Sequence, residues 1–92
     1  MISSFKCKDT QELYKTGDNR RFAPIARVAL RKLDMLAAAT VVETLRVPPG
    51  NRLEQLRGNR KGQWCVRVND QWRICFRWSG TNACDVEIVD YH

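Results

Sequence analysis

Two alternating runs, Gln63–Val68 and Trp72–Trp78, leave this chain little choice of fold. Trp64, Val66 and Val68 share one parity of the first run; Trp72, Ile74, Phe76 and Trp78 share one parity of the second. Strict alternation of this length marks half-buried strands. A one-residue slip in pairing turns every side chain to the wrong face, so both apolar sets must lie on the same side. A two-residue Asn69-Asp70 turn would pair Arg67 with Trp72 and mix the faces. A three-residue Asn69-Asp70-Gln71 loop pairs Val68 with Trp72 and Val66 with Ile74, and is the loop we expect. Such loops need a left-handed residue, a part Asn or Asp can fill. The hairpin register follows from parity alone.

That register puts Arg67 opposite Arg73, Cys65 opposite Cys75 and Gln63 opposite Arg77 on the second face. Directly opposed like charges cost up to about 1 kcal/mol in a sheet, and an anion held between them would offset it. The run Cys84–His92 reads as a last strand aligning Val86 with Phe76 and Ile88 with Ile74. Arg67, Arg73, Arg77 and Tyr91 then share a face, with Asp85 near Arg77. Asp90 and His92 fall on the opposite parity unless the chain bends at its end.

Upstream, Ile2–Phe5 alternates and is expected to be a first strand. Asp9 or Thr10 can cap a short helix that runs to about Lys15 and ends at Gly17. A main helix starts around Phe22-Ala-Pro-Ile, with Pro24 in its first turn. Ile25, Val28, Ala29, Leu33 and Leu36 form its apolar stripe, and Arg27, Arg31 and Asp34 its outer side. Thr40 and Glu43 have capping-box spacing before a short helical turn near Leu45. Val47-Pro-Pro-Gly-Asn makes a loop, and Asn51–Lys61 a basic connector that Leu53 and Leu56 can anchor. The fold class expected is α+β, an antiparallel sheet with two N-terminal helices, in the order β-α-α-β-β-β.

With 92 residues there is room for one domain, 1–92, with a modest core. No apolar run approaches the roughly 20 residues of a membrane span, and the MISSFKCKD start lacks the apolar core of a secretion signal. A soluble, cytoplasmic protein is expected, with no membrane partner. Net charge is +6, segregated along the chain. Arg20, Arg21, Arg27, Arg31 and Lys32 form one acid-free cluster; Arg57, Arg60, Lys61, Arg67, Arg73 and Arg77 form a second, broken only by Asp70. Such patches suit nucleic acid, acidic proteins or anionic lipid, and the first cluster reads equally well as a solvated helix surface. Cys7, Cys65, Cys75 and Cys84 match no zinc spacing and read as reduced packing residues.

The chain has one histidine, at its last position, so no histidine-based metal or nucleophile constellation arises and no cofactor is expected. What remains on the candidate face is arginines, Tyr91, Asp90 and His92. That set is enough to cleave RNA through its own 2′-OH, which needs a base, cations for the phosphorus charge and an acid for the leaving oxygen. Patterning alone leaves this open beside an idle, frayed Tyr-His end.

The MISSF start, the PPGNRLEQLRGNRKGQW connector, the VNDQWRICFRW hairpin and the VEIVDYH end together resemble the HigB branch of the RelE/ParE toxin superfamily, the GraT-like plasmid maintenance killer proteins. The resemblance spans essentially the whole chain. It implies a toxin that cleaves translated mRNA in the ribosomal A site. The implied partners are the ribosome, its mRNA and a cognate HigA/GraA-like helix-turn-helix antitoxin, with operator DNA bound only through the antitoxin complex. By position it implies catalytic roles for Arg73, Asp90, Tyr91 and His92. Arg57 stands where relatives usually have Lys, and joins Arg60, Lys61, Arg67 and Arg77 as the expected RNA-binding set. One departure stands out: Glu54 occupies the position of a histidine implicated in catalysis in some relatives, which implies a weaker toxin. Two other readings share these features, a ParE-like toxin that binds DNA gyrase and a plain basic RNA-binding module.

Overall fold

The computed structural model describes residues 1–90; Tyr91 and His92 lie outside the described residues. Two helices, α1 (Lys8–Thr16) and α2 (Ala26–Ala38), pack on one face of a four-stranded antiparallel sheet. Its strands are β1 (Glu54–Gln55), β2 (Gln63–Arg67), β3 (Trp72–Ser79) and β4 (Asn82–Asp90), in that spatial order.

The hairpin has the register that parity demands, Trp64↔Phe76, Cys65↔Cys75, Val66↔Ile74 and Arg67↔Arg73. Asn69 builds its loop. The side-chain Oδ1 accepts hydrogen bonds from the Gln71 and Trp72 N–H groups at 2.9 and 2.8 Å, an Asx turn that needs no glycine. β4 pairs as expected from Trp72↔Asp90 to Cys75↔Glu87, then slips by one residue to Arg77↔Cys84. Asp85, at φ +51°, is the extra residue, and the bulge re-aims it.

Phe76, Ile74, Val66, Val86 and Ile88 meet Leu13, Phe22, Leu33 and Leu36 in the core. Phe22 meets Trp72 edge-on at 5.6 Å. Each such buried side chain contributes about 1.5–3 kcal/mol through lost water contact. The expected stripe of α2 holds for Ala29, Leu33 and Leu36, with Ile25 and Val28 half-buried.

Three local expectations change. Ile2–Phe5 is no regular strand: it makes two isolated parallel bridges, Ile2↔Ala83 and Phe5↔Val86, along the outer edge of β4. Cys7 rather than Asp9 or Thr10 holds the cap position of α1. Both side chains are used elsewhere, Thr10 Oγ1 accepting the Ile88 N–H at 3.0 Å and Asp9 Oδ1 the Asn19 amide at 3.2 Å. Thr40 and Glu43 make no capping box; Val41 precedes a 3-10 turn over Val42–Arg46, and Glu43 pairs with Arg46. Gly17 ends α1 as anticipated, at φ +79°. Among the described residues no helix is long and apolar enough to cross a membrane.

Candidate active site

The sheet face opposite the helices is built in cross-strand rows, because directly paired residues project to the same side. One row is Arg67, Arg73 and Val89. The next is Glu54, Cys65, Cys75 and Glu87. A third carries Gln63, Arg77 and Cys84. The connector folds back over this face: β1 pairs with β2, and Leu56 packs on Cys65, Cys75 and Val89 as a second small core. Alternation did not reveal this cover, since β1 is two exposed residues long. The available signal was Leu53-x-x-Leu56, both buried.

The opposed arginines find oxygens rather than each other. Arg67 Nη2 pairs with Asp70 Oδ1, and Arg73 Nη1 donates to the Asn69 carbonyl at 3.0 Å. The Arg67 hydrogen bond, reinforced by its charge, holds the Asp70 carboxyl below the usual carboxylate range. The expected anion is therefore not required to relieve the Arg67–Arg73 pair. Arg67 Nε is buried with no hydrogen-bond partner among the described residues.

The rest of the expected RNA-binding set divides. Arg60 is turned inward, its Nη1 donating to Gln63 Oε1 at 3.1 Å and Glu87 Oε1 at 3.0 Å. Glu87 also meets Lys6 Nζ at 3.9 Å. Arg60 thus clamps the connector to the sheet. Arg57 and Lys61 are exposed and line an open cavity of about 590 Å³ with Gln55, Leu56, Gly58 and Gly62. Arg77 is exposed beside that turn, its Nε 3.8 Å from Asp85 Oδ2.

Gly62 is what lets Arg77 lie there. It sits at φ +91°, and a Cβ would stand 3.0 Å from Arg77 Nη1. The guanidinium can swing away, so the backbone strain dominates, about 1–3 kcal/mol. Urea unfolding of Gly62→Ala is expected to show that loss, whereas Gly50→Ala, with nothing within 4 Å and no positive φ, should stay within about 0.5 kcal/mol of the parent. Equal effects at both positions would contradict the assignment.

Asp90 is not brought together with Arg73. It pairs with Trp72, on the opposite parity, and its Oδ2 accepts from Gln71 Nε2 at 3.2 Å. Of the bend that would bring Asp90 and His92 to the side of Arg73, the part that concerns His92 lies outside the described residues. Glu54 shares the face of Arg73, pairing with Cys65 and accepting a hydrogen bond from Cys65 Sγ at 3.6 Å.

The first basic cluster loses two members as free cations. Lys32 is buried and donates to Asn51 Oδ1; burial, then the charges of Arg31 and Arg67, lower its pKa. Arg21 pairs with Asp9 at 3.5 Å and lies over the Phe22 ring at 5.1 Å. Arg20, Arg27 and Arg31 remain exposed.

Comparison with known proteins places this geometry. Residues 3–92 match the family model described as the RelE-like toxin of type II toxin-antitoxin system HigB. The chain is 44% identical over 81 residues to toxin HigB-1 of Vibrio cholerae serotype O1, covering 85% of this chain and 84% of that protein. It is 32% identical over 98 aligned residues to endoribonuclease HigB of Proteus vulgaris, covering all of both. YafQ of E. coli superposes with a TM-score of 0.57 at 13% identity, covering 98% of this chain and 93% of that one. A chain of the YoeB-YefM complex from Staphylococcus aureus does so at 0.58 and 16%, covering 100% and 98%. At those identities the structural likeness speaks for the fold.

Proposed function

Because the chain belongs to the HigB family of RelE-like toxins from type II toxin-antitoxin systems, we propose that it is an endoribonuclease that cuts mRNA on translating ribosomes. The observation that carries this reading is the cationic face itself: half-buried Arg73 beside Arg67, rimmed by exposed Arg57, Lys61 and Arg77. An endoribonuclease among its full-length relatives supports it.

In this reading the substrate supplies its own nucleophile, the 2′-OH next to the scissile phosphate. Arg73 and Arg57 hold the phosphate oxygens; guanidinium groups bind them in a forked geometry and stay charged throughout. Half-burial of Arg73 strengthens its field on the developing charge. His92, the chain's one histidine, moves protons, a histidine's ordinary pKa lying near neutral pH. Tyr91 positions a base by stacking. Asp90, tied to Gln71, anchors the end of β4. The ribosome presents oriented mRNA, and orientation supplies much of the rate enhancement that a sparse site lacks. Exposed Arg20, Arg27 and Arg31 contact ribosomal RNA. A helix-turn-helix antitoxin of the HigA/GraA type neutralises the toxin and carries the complex to operator DNA.

The decisive test maps 5′ ends of cellular mRNA after expression, with and without translation blocked. Codon-phased cuts that vanish when translation stops are expected. Unbroken mRNA together with arrested DNA replication would replace this reading with a gyrase-binding toxin.

A further inference from the structure

Cys65 and Cys75 are not used by the proposed RNA chemistry, yet their placement is specific. They face each other across β2 and β3, and both are fully buried. Backbone hydrogen bonding fixes the kind of pair. Val68 donates its N–H to the Trp72 carbonyl at 2.9 Å, and Leu56 donates to the Gln63 carbonyl at 2.8 Å. Backbone polar groups point alternately to the two sides of a strand, so Val68, Val66 and Trp64 bond toward β3, and Cys65 and Gln63 toward β1. Cys65 and Cys75 are therefore a non-hydrogen-bonded antiparallel pair, with Cα atoms about 4.5 Å apart. That separation falls inside the range of about 4.4–6.8 Å in which a disulfide closes.

The surroundings distinguish the two sulfurs. Contact with Cys65 lowers the Cys75 pKa; burial and the Glu87 charge oppose this, and the charges of Arg60 and Arg73 support it. The same contact and burial push the Cys65 thiol up. Cys75 is thus the more readily ionised of the two and Cys65 the less, with the Glu54 carboxylate accepting from Cys65 Sγ at 3.6 Å. Two side chains cover the pair: Leu56, the residue after the two-residue strand β1, and Val89, next to last in β4. Cys7 and Cys84 lie elsewhere, Cys84 Sγ being held by Ser3 Oγ at 3.1 Å.

We propose that Cys65 and Cys75 are a reversible oxidation site, closed to an intramolecular disulfide by peroxide. Cys75 Sγ, having given its proton to solvent, attacks one peroxide oxygen; the O–O bond breaks, and the departing hydroxide becomes water by taking a proton back from solvent. The Cys75 sulfenic acid formed is then attacked by Cys65 Sγ. The S–O bond breaks as the S–S bond forms, and the Cys65 proton passes through Glu54 to the leaving hydroxide, giving a second water. Two thiols are oxidised and one peroxide is reduced. A small-molecule dithiol reverses the bond by exchange. Transient disulfides of this kind are the form expected in a reducing compartment. The bond ties a hairpin already in register, so the oxidised chain resists unfolding more than the reduced one.

The test treats purified full-length protein with hydrogen peroxide, alkylates it in denaturant, and reads intact mass and linked peptides. The expected product has lost two hydrogens, carries alkyl groups on Cys7 and Cys84, links Cys65 to Cys75, reverts with dithiothreitol and unfolds at a higher urea concentration. Four alkylated cysteines, a bond to Cys7 or Cys84, a bond between molecules, or sulfinic acid without a bond would each overturn the proposal. Cys65→Ser should abolish the linkage and the Cys7→Ser/Cys84→Ser double variant should keep it. The double variant leaves the pair untouched, so it decides the matter even if Cys65→Ser fails to fold.

Discussion

Arg73→Ala is expected to lose mRNA cleavage and growth inhibition by about a hundredfold or more, the usual cost of deleting one preorganised donor to transition-state charge, while the protein stays folded. Arg73 lies mid-face, with Arg67 across one strand boundary and Val89 across the other. Its Nη1 is held by the Asn69 carbonyl at 3.0 Å, so the guanidinium is aimed before substrate arrives. A charge that needs no reorganisation is worth more to a transition state than the same charge on a loose chain. The structural cost should be small. The substitution removes the hydrogen bond to the Asn69 carbonyl, worth about 1 kcal/mol, and removes the like-charge opposition with Arg67, which has the opposite sign. Arg73→Lys should recover part of the activity, since it keeps the charge and loses the fork. The measurement is cleavage of mRNA on ribosomes beside urea unfolding of the same preparations. A folded Arg73→Ala protein that still arrests growth would remove Arg73 from the site and the nuclease reading with it.

That Arg73 could be placed opposite Arg67 from sequence reflects the strength of parity as a constraint, whereas its catalytic role is what the family resemblance implies. A strand repeats every two residues, so one wrong pairing exposes a whole apolar face, and the loop length, the hairpin register and Arg67↔Arg73 all followed. The same rule could not see Asp85, because a bulge is a break in period and its positive φ is carried by a residue with no glycine signal. Nor did it see the connector close over the face. Glu54-Gln55 is too short to show a period, and what seats it is Leu56 and the Arg60–Glu87 pair, made between positions distant in sequence. Charge clusters misled for a related reason. Composition counts Lys32 and Arg60 with the free cations, although each is claimed by a partner that only the fold supplies. The chemistry of the last two residues came from family resemblance rather than from patterning.

Asn51→Ala is expected to cost about 3–5 kcal/mol of stability, the range seen when a buried charge loses its partner. Asn51 is 1% exposed, and both polar atoms of its side chain are engaged. Its Oδ1 accepts from Lys32 Nζ, while Nδ2 donates to the Leu45 carbonyl at 3.0 Å and the Val47 carbonyl at 3.4 Å. Alanine would leave a buried ammonium and two carbonyls without those bonds. The tie also has a functional address, since it pins the chain after α2 just ahead of β1 and Arg57. The loss should depend on pH in a definite direction. Lys32 has a folded-state pKa below its ordinary value, so between the folded and unfolded values the unfolded chain binds more protons. Stability therefore rises with pH across that interval, and the charged form is penalised in full below the folded pKa. Removing Asn51 lowers that pKa further, because the neutral amine needs its acceptor less than the ammonium does. The gap between parent and variant should accordingly narrow as pH climbs through the folded-state value. Urea unfolding of both proteins at neutral and alkaline pH reads this gap directly. In the Asn51→Ala background, Lys32→Met should recover part of the loss by removing the unpaired charge. A loss under about 1 kcal/mol, or one that stays constant with pH, would show that Lys32 and Asn51 are not the coupled pair that seats the connector.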